Sequence, residues 1–110
     1  MIHYTKIDDR VIEDFLKRID PVRQEIKQIV LFGSRARGDY GFDSDYDLLL
    51  VVSNKNGQLI DVLYEAVMDV LLECGRLVSL KVYEEKEFTR LQALHTPFMQ
   101  QLEREGILLG

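Results

Sequence analysis

The chain has 110 residues, 46% hydrophobic and 30% charged, with two prolines and seven glycines, which is the mixture of one ordinary globular domain and excludes disordered and collagenous classes. Fourteen basic and nineteen acidic side chains leave a net charge of −5, so the overall field draws neither nucleic acid nor an anionic membrane, and an anionic ligand must be held locally. The single cysteine, Cys74, excludes an internal disulfide, and no apolar run approaches the roughly 18 residues of a spanning helix, so a reducing, cytoplasmic setting is expected.

From Asp8 to Ile19 the apolar residues Val11, Ile12, Phe15, Leu16 and Ile19 recur at helical spacing, with Asp8 and Asp9 suited to the N-terminal end. Asp20-Pro21 then opens a short helical turn through about Ile26, because the first turn of a helix does not use the amide that proline lacks. Gln28 to Phe32, closed by Gly33, predicts a buried strand, and Asp47 to Val52 a second beside it. The small and charged residues between them predict a helical turn plus loop.

After the break Ser53-Asn54-Lys55-Asn56-Gly57, one helical stripe runs through Leu59, Val62, Leu63, Ala66, Val67, Val70, Leu71 and Cys74, with Gly75 as a left-handed terminator. Leu77 to Tyr83 alternates Val78, Leu80 and Val82 with Ser79, Lys81 and Tyr83, a strand with one wetter face. Glu84 to Leu94 predicts a helix with Phe88, Leu91 and Leu94 inward. Thr96-Pro97 caps a last helix through about Glu105, and Gly106 ends it before an apolar tail, Ile107 to Leu109. With no internal repeat or linker, residues 1–110 read as a single α/β domain: a small mixed sheet with helices packed mainly on one face.

The chemistry concentrates between the first two predicted strands. Asp39, Asp43, Asp45 and Asp47 place four carboxylates within nine residues, and the two-residue spacing of Asp45 and Asp47 directs both to one face of a strand. Two converging carboxylates repel unless a hard divalent cation such as Mg²⁺ lies between them, although a bare Asp-x-Asp is more often a solvated acidic turn. Upstream, Gly33 lets a phosphate approach the backbone, Ser34 adds a hydroxyl at a helix start, and Arg35 and Arg37 add two cations able to fork onto phosphate oxygens. Surface pairing of the arginines with Asp39 or Asp43 is an equally ordinary outcome for either one.

Three other motifs fail on inspection. Gly33 to Gly38 has P-loop glycine spacing, but Asp39 and Tyr40 follow where Lys and Ser or Thr are required. Asp43-x-Asp45-x-Asp47 begins like an EF-hand, but Leu48 holds the glycine position and Asn54 that of the bidentate Glu. Ser34 lacks the flanking glycines of a hydrolase elbow, which leaves it a phosphate ligand rather than a nucleophile.

The string Gly33-Ser34-Arg35-Ala36-Arg37-Gly38-Asp39, followed by Asp43-Ser44-Asp45-Tyr46-Asp47-Leu48-Leu49, resembles the motif of the DNA polymerase beta nucleotidyltransferase superfamily, and within it the minimal nucleotidyltransferase (MNT) group. In that family a Gly-Ser opens a helix under the triphosphate, ten residues intervene and an Asp-x-Asp binds Mg²⁺, a spacing that residues 33–47 match. The long helix, the third strand and the ending from Pro97-Phe98 to Leu108 extend the likeness over nearly the whole chain.

The resemblance implies transfer of a nucleoside monophosphate, AMP from ATP, to a hydroxyl acceptor. Asp45 and Asp47 would be the catalytic metal ligands, and Gly33, Ser34, Arg35 and Arg37 would contact the nucleotide. It further implies a HEPN-family toxin as partner, with a tyrosine as acceptor and this chain as antitoxin. No membrane or direct nucleic-acid partner is expected, and a homo-oligomer is compatible with it. One departure stands out: the family carries a third carboxylate on the strand after the long helix, where this chain has Ser79 and Lys81 and neither Asp nor Glu. Glu84 or Glu85 could substitute from the strand end, with helix capping as the competing role. The departure keeps a second reading open, a weak or inactive module that neutralises its partner by binding.

Overall fold

The computed structural model describes residues 3–4, 9–39, 41 and 44–110; Asp8 and Asp43 lie outside them. Asp9 caps the first helix, its Oδ1 accepting from the amides of Val11 and Ile12 at 2.9 and 3.2 Å, and α1 runs Arg10–Arg18. That acceptor satisfies amides the first turn leaves without intrahelical partners. Pro21 lies in the first turn of a 3-10 helix, Asp20–Glu25, and strand β2, Ile26–Phe32, follows without a loop. β2 begins two residues before the predicted start at Gln28, because a bulge between Ile26 and Gln28 accommodates the exposed Lys27.

A short helix α2, Ser34–Arg37, precedes β3, Tyr46–Val52. The long helix α3, Gly57–Cys74, starts at Asn56, whose side chain accepts from Leu59 N at 2.9 Å, and ends at Gly75 with φ +67°. Strand β4 is Val78–Glu84, α4 is Glu85–Leu94 and α5 is Pro97–Glu105, with Thr96 capping α5 as its position predicted. The apolar tail is not a loose end but a strand, β5, Ile107–Leu108.

The five strands lie in the order β1-β5-β2-β3-β4, where β1 is His3–Tyr4. β5 runs parallel to β1 and antiparallel to β2; β2 and β3 are antiparallel, and β3 and β4 parallel, so the sheet is mixed. Alternation sorts the strand residues onto two faces. On one face Ile29, Leu31, Tyr46, Leu48, Leu50, Val52 and Val78 meet Ile12 and Phe15 of α1 and Leu59, Leu63 and Val70 of α3 in the larger cluster. Full burial of each such aliphatic or aromatic side chain contributes about 1.5–3 kcal/mol, so this face carries most of the stability.

The opposite face is covered only in part, where Phe88 of α4 and Met99 and Leu102 of α5 lie over Val30, Leu49 and Val51 and Phe98 of α5 meets Phe32. Two expected core positions are instead exposed, Leu71 on α3 and Leu94 on α4. Each lies at the margin of its apolar arc, where helical spacing alone does not tell core from rim. No helix among the described residues is long and apolar enough to cross a membrane.

Candidate active site

The partly covered face leaves the start of β3 open. Phe32, the last residue of β2, pairs with Asp47, so the turn that follows β2 rises beside that aspartate. Gly33 takes φ +75° and ψ −159°, and a β-carbon there would overlap Oδ2 of Asp47. Glycine is needed at this position for both its backbone conformation and its lack of a side chain. Ser34 opens α2, and its carbonyl accepts from Gly38 N at 2.9 Å, with Gly38 closing the turn at φ +86°.

Asp45 is exposed immediately before β3, and Tyr46 anchors the strand start. The Tyr46 hydroxyl donates to Asp9 Oδ2 at 2.9 Å and its amide to Leu77 O at 2.9 Å, with the ring buried on the larger-core face. Alternation then turns Asp47 to the other face, half-buried beside Gly33. Desolvation first, and then the charge of Asp45, hold the Asp47 carboxyl above its ordinary range, while Lys81 and Arg37 pull it down. Among the described residues neither aspartate has an ion pair. Two mutually repelling, unpaired carboxylates next to an open backbone turn fit a hard divalent cation. No group of three potential metal-ligating side chains occurs among the described residues; Mg²⁺ is ordinarily bound by one or two carboxylates together with substrate phosphates and water.

The two arginines are placed differently. Arg35 donates from Nε and a terminal nitrogen to Ser44 O, at 3.3 and 3.0 Å, and lies 4.1 Å over the Tyr46 ring, on the side of the strand away from Asp47. It fastens the far end of the loop to its near end. Arg37 pairs with Asp39 at 3.2 Å and Glu105 at 3.4 Å and adds positive potential at Asp47. The structure therefore brings Gly33, Asp45 and Asp47 together, with Ser34 at the head of the turn and Arg37 at its margin.

Ser79 pairs directly with Asp47 across β3 and β4, and Lys81 follows two residues later on the same face. The strand position next to the aspartate thus carries a hydroxyl with a cation beyond it. Glu84 and Glu85 do not supply the carboxylate. Glu84 caps α4 in a capping box with Glu87, its amide donating to Glu87 Oε1 at 3.1 Å, and Glu85 begins that helix, exposed.

The sequence also gave no hint of an apolar slot of about 170 Å³ beside Gly33, lined by Phe32, Phe98, Gln101, Leu102 and Glu105. Phe32 and Phe98 meet edge to face at 5.5 Å, and Lys81 Nζ lies 5.9 Å from the Phe98 ring centre. The pair Phe98 and Leu102 reads as the inner side of a helix. Its arrival at Gly33 depends on how α5 crosses the sheet, which local spacing does not encode. A wider recess of about 680 Å³ between α1 and the end of α3, lined by charged residues such as Arg10, Asp14 and Arg76, contains none of the site residues.

Known proteins resemble this chain in sequence and in fold. A family model described as polymerase beta nucleotidyltransferase matches residues 12–110. A Methanocaldococcus jannaschii protein named as a protein adenylyltransferase is 33% identical over 82 residues, covering 68% of this chain and 82% of the relative. A crystal structure of a toxin–antitoxin with AMP-PNP superposes with a TM-score of 0.55 at 18% identity, over 94% of this chain and 73% of that one. A mutant MntA-HpeT toxin–antitoxin structure gives the same TM-score and coverage at 14% identity. These two structures share the fold, and the match over residues 12–110 shows that the chain belongs to the polymerase beta nucleotidyltransferase family and is a nucleotidyltransferase.

Proposed function

We propose that residues 1–110 act as one minimal nucleotidyltransferase domain that transfers AMP from ATP to a tyrosine hydroxyl of a HEPN-family toxin, for which this chain is the antitoxin. The observation that supports the reading is the seating of bare Gly33 against the Asp47 carboxylate, a turn with room for a phosphate directly beside two carboxylates. The names of relatives support the acceptor class: protein adenylyltransferase for the Methanocaldococcus protein, and toxin–antitoxin with AMP-PNP for a structure of the same fold.

In this reading Asp45 and Asp47 hold Mg²⁺, while Gly33 and Ser34 hold the triphosphate through the backbone and the serine hydroxyl. A bound divalent ion neutralises phosphate charge and orients the α-phosphorus for in-line attack. The acceptor oxygen forms a bond to that phosphorus as the bond to the pyrophosphate oxygen breaks. The hydroxyl proton passes to solvent, because Ser79 rather than a carboxylate stands beside Asp47. Arg37 exchanges an exposed carboxylate partner for a phosphate oxygen, and Arg35 assists by keeping the loop closed on Ser44.

Ser79 favours a second reading, in which the chain neutralises its partner by complex formation with little or no transfer. Incubation with α-labelled ATP, Mg²⁺ and a purified HEPN partner separates the two. Transfer predicts label and an AMP mass increment on a partner tyrosine, both lost in Asp47→Asn. Neutralisation that persists in an Asp45→Asn/Asp47→Asn variant, with no mass change in the wild type, establishes the binding module.

A further inference from the structure

We propose that the outer face of α3 is a docking surface for a basic amphipathic helix of a partner protein. The proposal deepens the reading above, in that it names the surface and the chemistry of the protein partner which that reading requires. Tyr64, Met68 and Leu72 recur at every fourth position and are 49%, 54% and 77% exposed. Single exposed apolar residues are ordinary, but a continuous row on one helix face marks a contact surface. Leu71 widens the row towards the core side.

Asp61, Glu65, Asp69 and Glu73 recur with the same four-residue step, and at 100° per residue they form a second row about 80° round the helix from the first. α3 contains no lysine or arginine at all. Arg18 of α1 pairs with Asp69 at 3.5 Å and with Glu73, which neutralises the C-terminal half of the row. Asp61 and Glu65 have no ion pair among the described residues, so the N-terminal half of the apolar row keeps an acidic flank.

This charge pattern selects the occupant. A second copy docked by a two-fold antiparallel contact between α3 helices would set acidic row beside acidic row, with no cation on either helix. A helix whose apolar stripe is edged by lysine or arginine satisfies both rows at once. The position suits delivery of an acceptor. Because β3 and β4 are parallel, α3 runs back between them, and its C-terminal end, with Leu72 and the exposed Leu77 beyond it, returns to the end of the sheet where Asp47 lies. β4 is the edge strand, so a partner along α3 lies next to an open route round that edge to the site.

The test uses the full chain and three fluorescein-labelled synthetic peptides: a leucine-lysine amphipathic helix, its leucine-glutamate counterpart, and a leucine-lysine peptide of scrambled order. In about 150 mM salt, where non-specific attraction is screened, the amphipathic lysine peptide should bind and the other two should not. Met68→Ser/Leu72→Ser should weaken that binding at least about ten-fold. Asp61→Lys/Glu65→Lys should weaken it comparably and create binding of the glutamate peptide. Mg²⁺-dependent ATP binding should be unchanged in both variants, and peptide binding unchanged in Asp47→Asn, so that failure of the catalytic reading and failure of this one are distinguishable. Equal binding of the scrambled peptide, or undiminished binding to Met68→Ser/Leu72→Ser, overturns the proposal. So does sedimentation showing a wild-type dimer that Leu72→Ser converts to monomer, which would assign the face to a second copy.

Discussion

A β-carbon at position 33 and the carboxylate of Asp47 would claim the same volume, and the positive φ of Gly33 adds backbone strain for any other residue. Gly33→Ala should therefore lower stability by about 2 kcal/mol or more in urea unfolding. It should also displace Asp47 and weaken Mn²⁺ binding in a direct titration; unaltered stability and binding would show that the turn has room to spare. For Asp47 the sign follows from its raised pKa. The folded chain takes up the Asp47 proton more readily than the unfolded one, so this group contributes a destabilisation that is absent below the ordinary carboxylate pKa. The destabilisation sets in as pH rises, and is complete above the raised value. Asp47→Asn should raise Tm at neutral pH by up to about 4 °C and lose that advantage in acid, while divalent binding by the wild type should strengthen as pH rises through the same interval. The closeness of Asp45 and Asp47 was legible in the sequence because the two flank Tyr46 at the start of a strand. The direction of Arg35 was not, because a long side chain on a one-turn helix takes its orientation from Tyr46 and Ser44, which only the folded loop brings near.

Elements with long periodic patterns or side-chain caps were the ones the sequence disclosed. α3 repeats its apolar residues over four turns, and Thr96 stands where a first turn needs an acceptor. The two-residue strands β1 and β5 have no period to read, and they exist only because β2 offers an edge for β5, and β5 one for β1. Leu71 and Leu94 mark the same limit from the other side, since an apolar residue at the rim of a helix is equally compatible with core and solvent. At Asn56 the expected energetics are local: its Oδ1 accepts from Leu59 N, and its Nδ2 donates to Glu25 Oε1 at 3.1 Å on an exposed surface. Asn56→Ala should cost about 1 kcal/mol in chemical denaturation without changing nucleotide affinity. A loss of affinity would mean that the start of α3 communicates with the turn at Gly33.

At the scale of the whole molecule the chain closes on itself: β5 lies between β1 and β2, so the C-terminal residues are interior to the sheet. Val30 and Leu31 pair with Leu108 and Ile107, Ile29 N donates to Gly110 O at 2.9 Å, and Leu109 N donates to Ile29 O at 2.7 Å. Gly106 makes this return possible, since a β-carbon there would run into Leu102 O and Cγ1 of Val30. The strand held in this way is β2, whose next residue is Gly33, so the C-terminal residues brace the strand that presents the phosphate turn. Deleting residues 107–110 removes several ladder hydrogen bonds, each with a net contribution of about 0.5–1.5 kcal/mol, and uncovers apolar surface on both clusters. The loss should exceed about 3 kcal/mol and lower Tm by more than about 10 °C. Amide exchange should speed up first at Ile29 to Leu31, and ATP affinity should fall even at temperatures where the truncated chain is still folded, because Gly33 then sits at the end of an unbraced strand. A truncated chain that keeps both its Tm and its affinity would show that β2 holds its position through β3 alone.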